Sequence, residues 1–278
     1  MSYADKAFKN MCRDILDNGW TTEGKGIDVR PYWGDTNEKA HTIKKSFIVN
    51  EYDLSKEFPI LTLRPVPFKK CVDELLWIWV KKSNNVNDLN SKIWDSWADE
   101  TGSIGEAYGA QLRKKHKYKE GEMDQVDRVL FDLKNDPYSR RIITNLYNHE
   151  DLHLMNLYPC AYQMIFNVTD GTLNASLIQR SNDVLVANAW NVTQYAVLVH
   201  MFAQVSDLKV GKLVHFIADA HIYNRHIPQV KELLKREEYT APTFWINPEV
   251  KNFYDFTIDD FKLINYNKGT QIKIPVAI

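Results

Sequence analysis

Asp170-Gly171 stands between two β-prone runs, Gln163–Thr169 and Thr172–Ile178, and this arrangement constrains the chain more than any other feature. Asp-Gly flanked by such runs is the strongest short-range signal for a two-residue hairpin turn, because both turn positions need a positive φ. With that loop fixed, Thr169 faces Thr172. Counting back along regular pairing sets Cys160 opposite Ser181 and beside Arg180. A thiolate, not a thiol, is the useful nucleophile, and a neighbouring guanidinium favours the thiolate. The turn therefore points to a nucleophilic Cys160 next to a cation.

The rest of the composition narrows the class. The chain has 278 residues, with a formal net charge of −1, eight Trp and fourteen Tyr. That length suits one large domain, and we expect residues 1–278 to form a single catalytic unit. Near-zero charge gives no electrostatic footprint for nucleic acid. The three cysteines, Cys12, Cys71 and Cys160, are far apart, which argues against a disulfide framework or a cysteine metal site and fits a reducing cytoplasm. The segment Met1–Lys6 lacks the apolar core of a signal peptide, and no run is apolar enough to span a membrane.

Helical spacing predicts helices over residues 3–18, 68–82, 124–133, 192–205 and 227–236. Strands are expected at 47–49, 60–63, 142–147, across the hairpin, from 215 into 219–223, and at 261–266. Residues 19–46 read as a long irregular loop carrying Arg30. Helices and strands mix without regular alternation. The expected class is α+β, a mixed β-sheet core flanked by helices.

Several groups carry candidate chemistry. Arg140-Arg141 follow a turn, and paired guanidiniums suit a phosphate. With Arg30 and Arg180 they make four arginines available for one anion, to which Ser181 adds a hydroxyl. Asp219, His221 and Tyr223 alternate, so an extended backbone presents them on one face; the pattern reads first as a satisfied half-buried histidine, and a hydroxyl and an imidazole on one face also suit a sugar hydroxyl. His221 and His226 have no zinc-ligand spacing, and no metal is expected. Glu74 lies near the apolar face of its helix, where desolvation raises a carboxyl pKa. Asn191, placed just before a helix, reads from local sequence first as an N-cap; its amide also offers a donor and an acceptor that can pair with the edge of a uracil-like ring. Neither glycine-rich phosphate-loop pattern occurs.

Taken together, these residues resemble thymidylate synthase, nearly end to end. The segments that carry the likeness are Glu74-Leu75-Leu76-Trp77, Ile93–Trp97, Asp136–Arg141, Pro159-Cys160, Gln179-Arg180-Ser181, Asn191, Asp219–Tyr223 and Pro275–Ile278. The segment Trp245–Tyr266, with its Trp-Ile-Asn-Pro-Glu-Val run, is similar to the phage and Bacillus-type branch. The resemblance implies a homodimer that methylates dUMP, with 5,10-methylenetetrahydrofolate as carbon and hydride donor. It implies that Cys160 adds to C6 of the uracil. Arg30, Arg180 and Ser181 would bind phosphate, joined by Arg140 and Arg141 from the other subunit. Asn191 would read the pyrimidine edge, Asp183 would contact the ring through its backbone, and His221 and Tyr223 would hold the 3′-hydroxyl. Glu74 would manage proton transfers and Tyr108 would assist removal of the C5 proton. Asp219 would lie against the folate pterin, with Trp94, Trp97, Ala277 and Ile278 covering the folate.

The chain departs from the family pattern at Ala161, where His is usual, at Tyr158, at Leu112 and around Ala187 and Ala189. The loop at Arg30 lacks the family's Thr-Gly-Thr-Gly run. Two other readings compete. In a hydroxymethylase water replaces the hydride; Asn191 favours uracil over cytosine, and Trp94 with the C-terminus favours hydride transfer. A silent nucleotide- or RNA-binding relative is disfavoured by retention of Cys160 and all four arginines.

Overall fold

The computed structural model describes residues 2–277. Helix α1 (Tyr3–Asn18) buries Phe8, Met11, Cys12 and Ile15, spaced three and four residues apart as one helical face requires. Strands β1 (Trp20–Thr21) and β2 (Thr42–Asp53) follow, then helix α2 (Phe68–Trp79), which starts after Pro67. A loop-rich stretch holds α3 (Gly109–Arg113), the small hairpin β3 (His116–Tyr118) and β4 (Gly121–Met123), and α4 (Gln125–Asn135). Next come β5 (Ile143–Asn145), β6 (Ala161–Thr169), β7 (Thr172–Gln179) and β8 (Asn182–Asp183). A π-helical turn over Val184–Asn188 feeds α5 (Ala189–Val205). The chain ends with β9 (Lys209–Tyr223), α6 (Ile227–Lys235), and a separate pair of β10 (Thr243–Ile246) and β11 (Phe261–Ile264).

Among the described residues, seven strands form one sheet in the order β1-β2-β9-β7-β6-β5, with β8 extending alongside β9. Strand β9 runs antiparallel to β2 but parallel to β7 and β8, so the sheet is mixed and the class is α+β as expected. Helix α5 is apolar nearly all round and lies between α2 and strands β7 and β9. The helix-facing residues of the sheet, among them Met164, Phe166, Leu177, Leu213 and Ile217, are buried. The opposite face is open and mixed in character: Phe47 is 71% and Val49 56% exposed, and Lys212 pairs with Glu51 beside them.

Some expectations are corrected. Ile60–Leu63 is buried but is not a strand. The Thr62 N–H donates to Asp5 Oδ1 at 2.7 Å, and its carbonyl accepts from the Gly269 N–H at 2.8 Å, so a side chain and a loop take the place of a ladder partner. The strand expected at 142–147 is only Ile143–Asn145. Helix α5 begins at Ala189, because the π-turn delivers the chain already helical, so Asn191 sits inside the first turn rather than before it.

Candidate active site

The hairpin turn forms as its residues demand. Asp170 has φ 48° and Gly171 φ 66°, and Thr169 pairs with Thr172. Regular pairing continues to Gln163 opposite Ile178. A β-bulge then intervenes, and Ala161 pairs with Gln179. This extra residue corrects the sequence-based register by one: the Cys160 carbonyl accepts from the Arg180 N–H at 2.9 Å, so Arg180, not Ser181, stands opposite the cysteine. The Arg180 guanidinium bends back over the turn before β6. Its Nε donates to Pro159 O at 3.0 Å and Nη2 to Tyr158 O at 2.8 Å, and Nη2 lies 3.5 Å from Cys160 Sγ. Burial pushes the Cys160 thiol up, and Arg180 pulls it only partly back. The expected lowering is therefore present but outweighed, because desolvation of a thiolate is the larger effect here.

Two adjoining cavities meet at this corner. The first, about 350 Å³, is lined by Arg180, Ser181, Thr22, Lys44, Asp219, His221 and Tyr223. The second, about 440 Å³, has a mainly apolar wall that includes Trp94, Trp97, Tyr108 and Trp190, with Cys160, Glu74, Asp183, Asn191 and Ala277 set into it. Ser181, His221 and Tyr223 line both. A single ligand with an anionic end and a planar end fits that junction, and room remains beside it for a second flat molecule.

Glu74 projects from α2 into the second cavity and is 6% exposed. Its Oε1 accepts from Trp94 Nε1 at 2.6 Å, and its Oε2 accepts from Gln194 Nε2 at 2.6 Å and from the Trp190 indole. Burial raises its pKa, and the three donors act in the opposite direction. Three donors thus hold the carboxyl in a fixed position at the cavity wall. Tyr108 is buried with φ 48° and ψ −106°, a strained conformation for a residue with a side chain. Its hydroxyl accepts from the Cys160 N–H at 3.1 Å, which holds it at the base of the thiol.

Asp183 accepts from the N–H groups of Leu185 and Val186, both at 3.1 Å, and so fixes the start of the π-turn. Asp219, expected against a pterin, lines the first cavity and not the second. It takes a hydrogen bond from Lys44 at 2.5 Å and lies 2.9 Å from His221 Nδ1. Burial pushes its carboxyl up, but the His221 and Lys44 contacts outweigh it and hold the group below its ordinary value. Of the four arginines, only Arg180 lines the first cavity. Arg30 is exposed, between the cavity-lining residues Val29 and Pro31, and Arg140 and Arg141 are exposed on the turn after α4. Ala277 pairs with Trp33 and reaches the second cavity; Ile278 lies outside the described residues. Among the described residues no cluster of metal-ligating side chains occurs.

Sequence reasoning missed Trp190 and Gln194. Both lie on a helix whose apolar run reads as core, and only their distance to Glu74 shows the polar role. The one available signal was an indole directly before Asn191.

Comparison with known proteins identifies the family. A family model described as thymidylate synthase matches residues 6–278. Thymidylate synthase 1 of Bacillus subtilis (strain 168) is 47% identical over 282 residues, covering 100% of both chains. Thymidylate synthase of Bacillus phage phi3T is 46% identical with the same coverage. Among solved structures, the thermostable thymidylate synthase A from Bacillus subtilis matches with a TM-score of 0.95 and 46% identity, covering 99% of each chain.

Proposed function

The chain belongs to the thymidylate synthase family, and from that premise we propose how its residues divide the work of converting dUMP to dTMP. The enzyme is a methyltransferase, and 5,10-methylenetetrahydrofolate is its co-substrate, supplying the carbon and the hydride.

In this reading Arg180 and Ser181 hold the phosphate in the first cavity, and Arg30 closes over it from the rim. His221 and Tyr223 receive the sugar's 3′-hydroxyl, with Asp219 and Lys44 fixing the imidazole. The uracil lies at the junction, its edge on Asn191 and its C6 above Cys160. Addition of the thiolate to C6 makes C5 nucleophilic, which is the purpose of a covalent step here. Glu74 exchanges protons at the far side of the ring, and Tyr108 accepts hydrogen bonding near C5. Asp183 contacts the uracil ring through its backbone, Trp94, Trp97 and Ala277 enclose the folate, and the segment at Ala277 excludes water from the activated ring. The single observation that carries the reading is a cysteine sulfur 3.5 Å from a guanidinium, in the wall of a cavity that also presents Asn191 and Glu74.

The same reading assigns a homodimer. Its support is the exposure of Phe47 and Val49 on the open sheet face, and of Arg140 and Arg141 away from their own chain's first cavity, where they can serve a partner's phosphate site. We also treat residues 1–278 as one catalytic unit, supported by a core running from Ala4 to Ile272. A cytoplasmic location is supported by three free cysteines. Among the described residues no helix is long and apolar enough to cross a membrane.

The test is incubation of the protein with dUMP and methylenetetrahydrofolate, followed by mass analysis of the nucleotide. A methylated product with dihydrofolate is expected. A hydroxymethylated product, or none, refutes the assignment.

A further inference from the structure

His215 lies on the helix-facing side of β9, fully buried, and lines neither cavity. Its Nε2 is 2.8 Å from Gln179 Oε1. The other end of that amide, Gln179 Nε2, donates to the Ser181 carbonyl at 3.1 Å and to Asn191 Oδ1 at 3.1 Å. A main-chain carbonyl only accepts, so Ser181 fixes which end of Gln179 carries the hydrogens. Two consequences run outward from that amide. Toward β9, Gln179 presents an acceptor, so His215 must be the donor and carries its proton on Nε2. Its Nδ1 has no hydrogen-bond partner, and burial pushes the imidazole down to about 3, which keeps the ring neutral. Toward the cavity, Gln179 presents a donor, so Asn191 turns its oxygen inward. Asn182 Nδ2, 3.4 Å away, is a second donor to that oxygen. The Asn191 amide nitrogen is the end left for the cavity that Asn191 lines.

We infer that His215 is a specificity-determining positioning residue: together with the Ser181 carbonyl it pins Gln179, which locks Asn191 with its NH2 group toward position 4 of the pyrimidine, so that the site takes a 4-oxo ring and rejects a 4-amino ring. This rests on the edge-reading role proposed above for Asn191. Uracil offers an acceptor at position 4 and a donor at N3, whereas cytosine offers the reverse. To receive cytosine, Asn191 has to turn its amide over, which sets its Nδ2 against Gln179 Nε2, donor on donor. Gln179 cannot yield by turning in its place. Its Oε1 would then face the Ser181 carbonyl, and its Nε2 would face the His215 N–H. Shifting the His215 proton to Nδ1 relieves only the last clash, and it strands a buried donor.

The test compares binding of dUMP and dCMP to the full chain by calorimetry, in the parent, His215→Leu and His215→Gln. Leu keeps bulk and removes the donor, whereas Gln sets an amide nitrogen near the position of imidazole Nε2. The parent is expected to prefer dUMP. His215→Leu should lower the dUMP:dCMP affinity ratio by about fivefold, because one of the two contacts that orient Gln179 is lost while the Ser181 carbonyl remains. His215→Gln should restore most of that ratio. A purely structural role would weaken both nucleotides together and leave the ratio alone. An unchanged ratio in His215→Leu overturns the inference. Should that variant fail to fold, ring-¹⁵N correlation spectra of the histidine-labelled parent decide: a proton on Nε2 of His215 upholds the argument, and one on Nδ1 overturns it. Equal affinity of the parent for both nucleotides overturns the edge-reading role and this inference with it. Preference retained in His215→Leu overturns the inference alone.

Discussion

Replacing Trp190 by Phe isolates one hydrogen bond at the buried carboxyl. The indole N–H donates to Glu74 Oε2 and so favours the ionised form, while burial favours the neutral form and wins. Phe keeps an aromatic ring against the core and deletes only the donor. A hydrogen bond to a charged group contributes about 1.5–3 kcal/mol. At about 1.36 kcal/mol per pH unit, complete loss corresponds to roughly one to two units. Gln194 remains on the same oxygen at 2.6 Å and Trp94 on the other at 2.6 Å, so the lower end applies, and a rise of about one unit is expected. The direction holds whichever protonation state the reaction needs. If ionised Glu74 is active, the acid limb of the kcat/KM profile moves to higher pH; if neutral Glu74 is active, the alkaline limb does so. Stability gives a second reading. A carboxyl whose folded pKa is raised stabilises the fold at low pH, and that contribution is lost as pH rises through the folded value. The Tm deficit of Trp190→Phe relative to the parent should therefore be larger at neutral pH than in acid. A variant that folds, with both limbs where the parent has them and a pH-independent Tm deficit, refutes the argument.

Other consequences follow from the same geometry. Cys160→Ala should abolish product formation while dUMP binding stays measurable by calorimetry, and turnover near the parent level would exclude a covalent step. Burial outweighs Arg180 at the thiol, so alkylation of Cys160 by iodoacetamide should climb through and above the ordinary thiol range. A plateau at neutral pH would show instead that the guanidinium dominates. Phe47→Asp places a charge on the open sheet face and should convert the proposed dimer to monomer in sedimentation; a dimer in the parent that the variant leaves undisturbed would remove that face from the interface.

The hairpin was legible because its turn is local chemistry: Asp170 and Gly171 accept positive φ, and the alternating runs fix the faces of the strands. The bulge was not legible, since Ala161-Tyr162-Gln163 contains no glycine to announce it, and the error was one residue at the place where one residue matters. Ile60–Leu63 read as a strand because a short buried apolar run is ambiguous. Its partner is the Asp5 carboxylate, 57 residues away, and no periodicity reports such a partner. Glu74 was visible as a carboxyl near an apolar face. Its clamps were not, because Trp190 and Gln194 come from a helix more than a hundred residues on. His215 sits in a strand whose burial alternates, where it passes for a core residue. Asp219, His221 and Tyr223 could be placed on one face from alternation alone, but which cavity that face borders depends on the order of strands across the sheet.

The extra residue between Ala161 and Gln163 ties strand alignment to reactivity. A molecule whose hairpin zips up without it keeps the same sequence, yet its sulfur meets a hydroxyl-bearing neighbour, and the side chains beyond the slip change sides of the sheet. Such a misaligned copy is mute toward the nucleotide. A fault in assembly at this point therefore costs activity even where the rest of the fold forms.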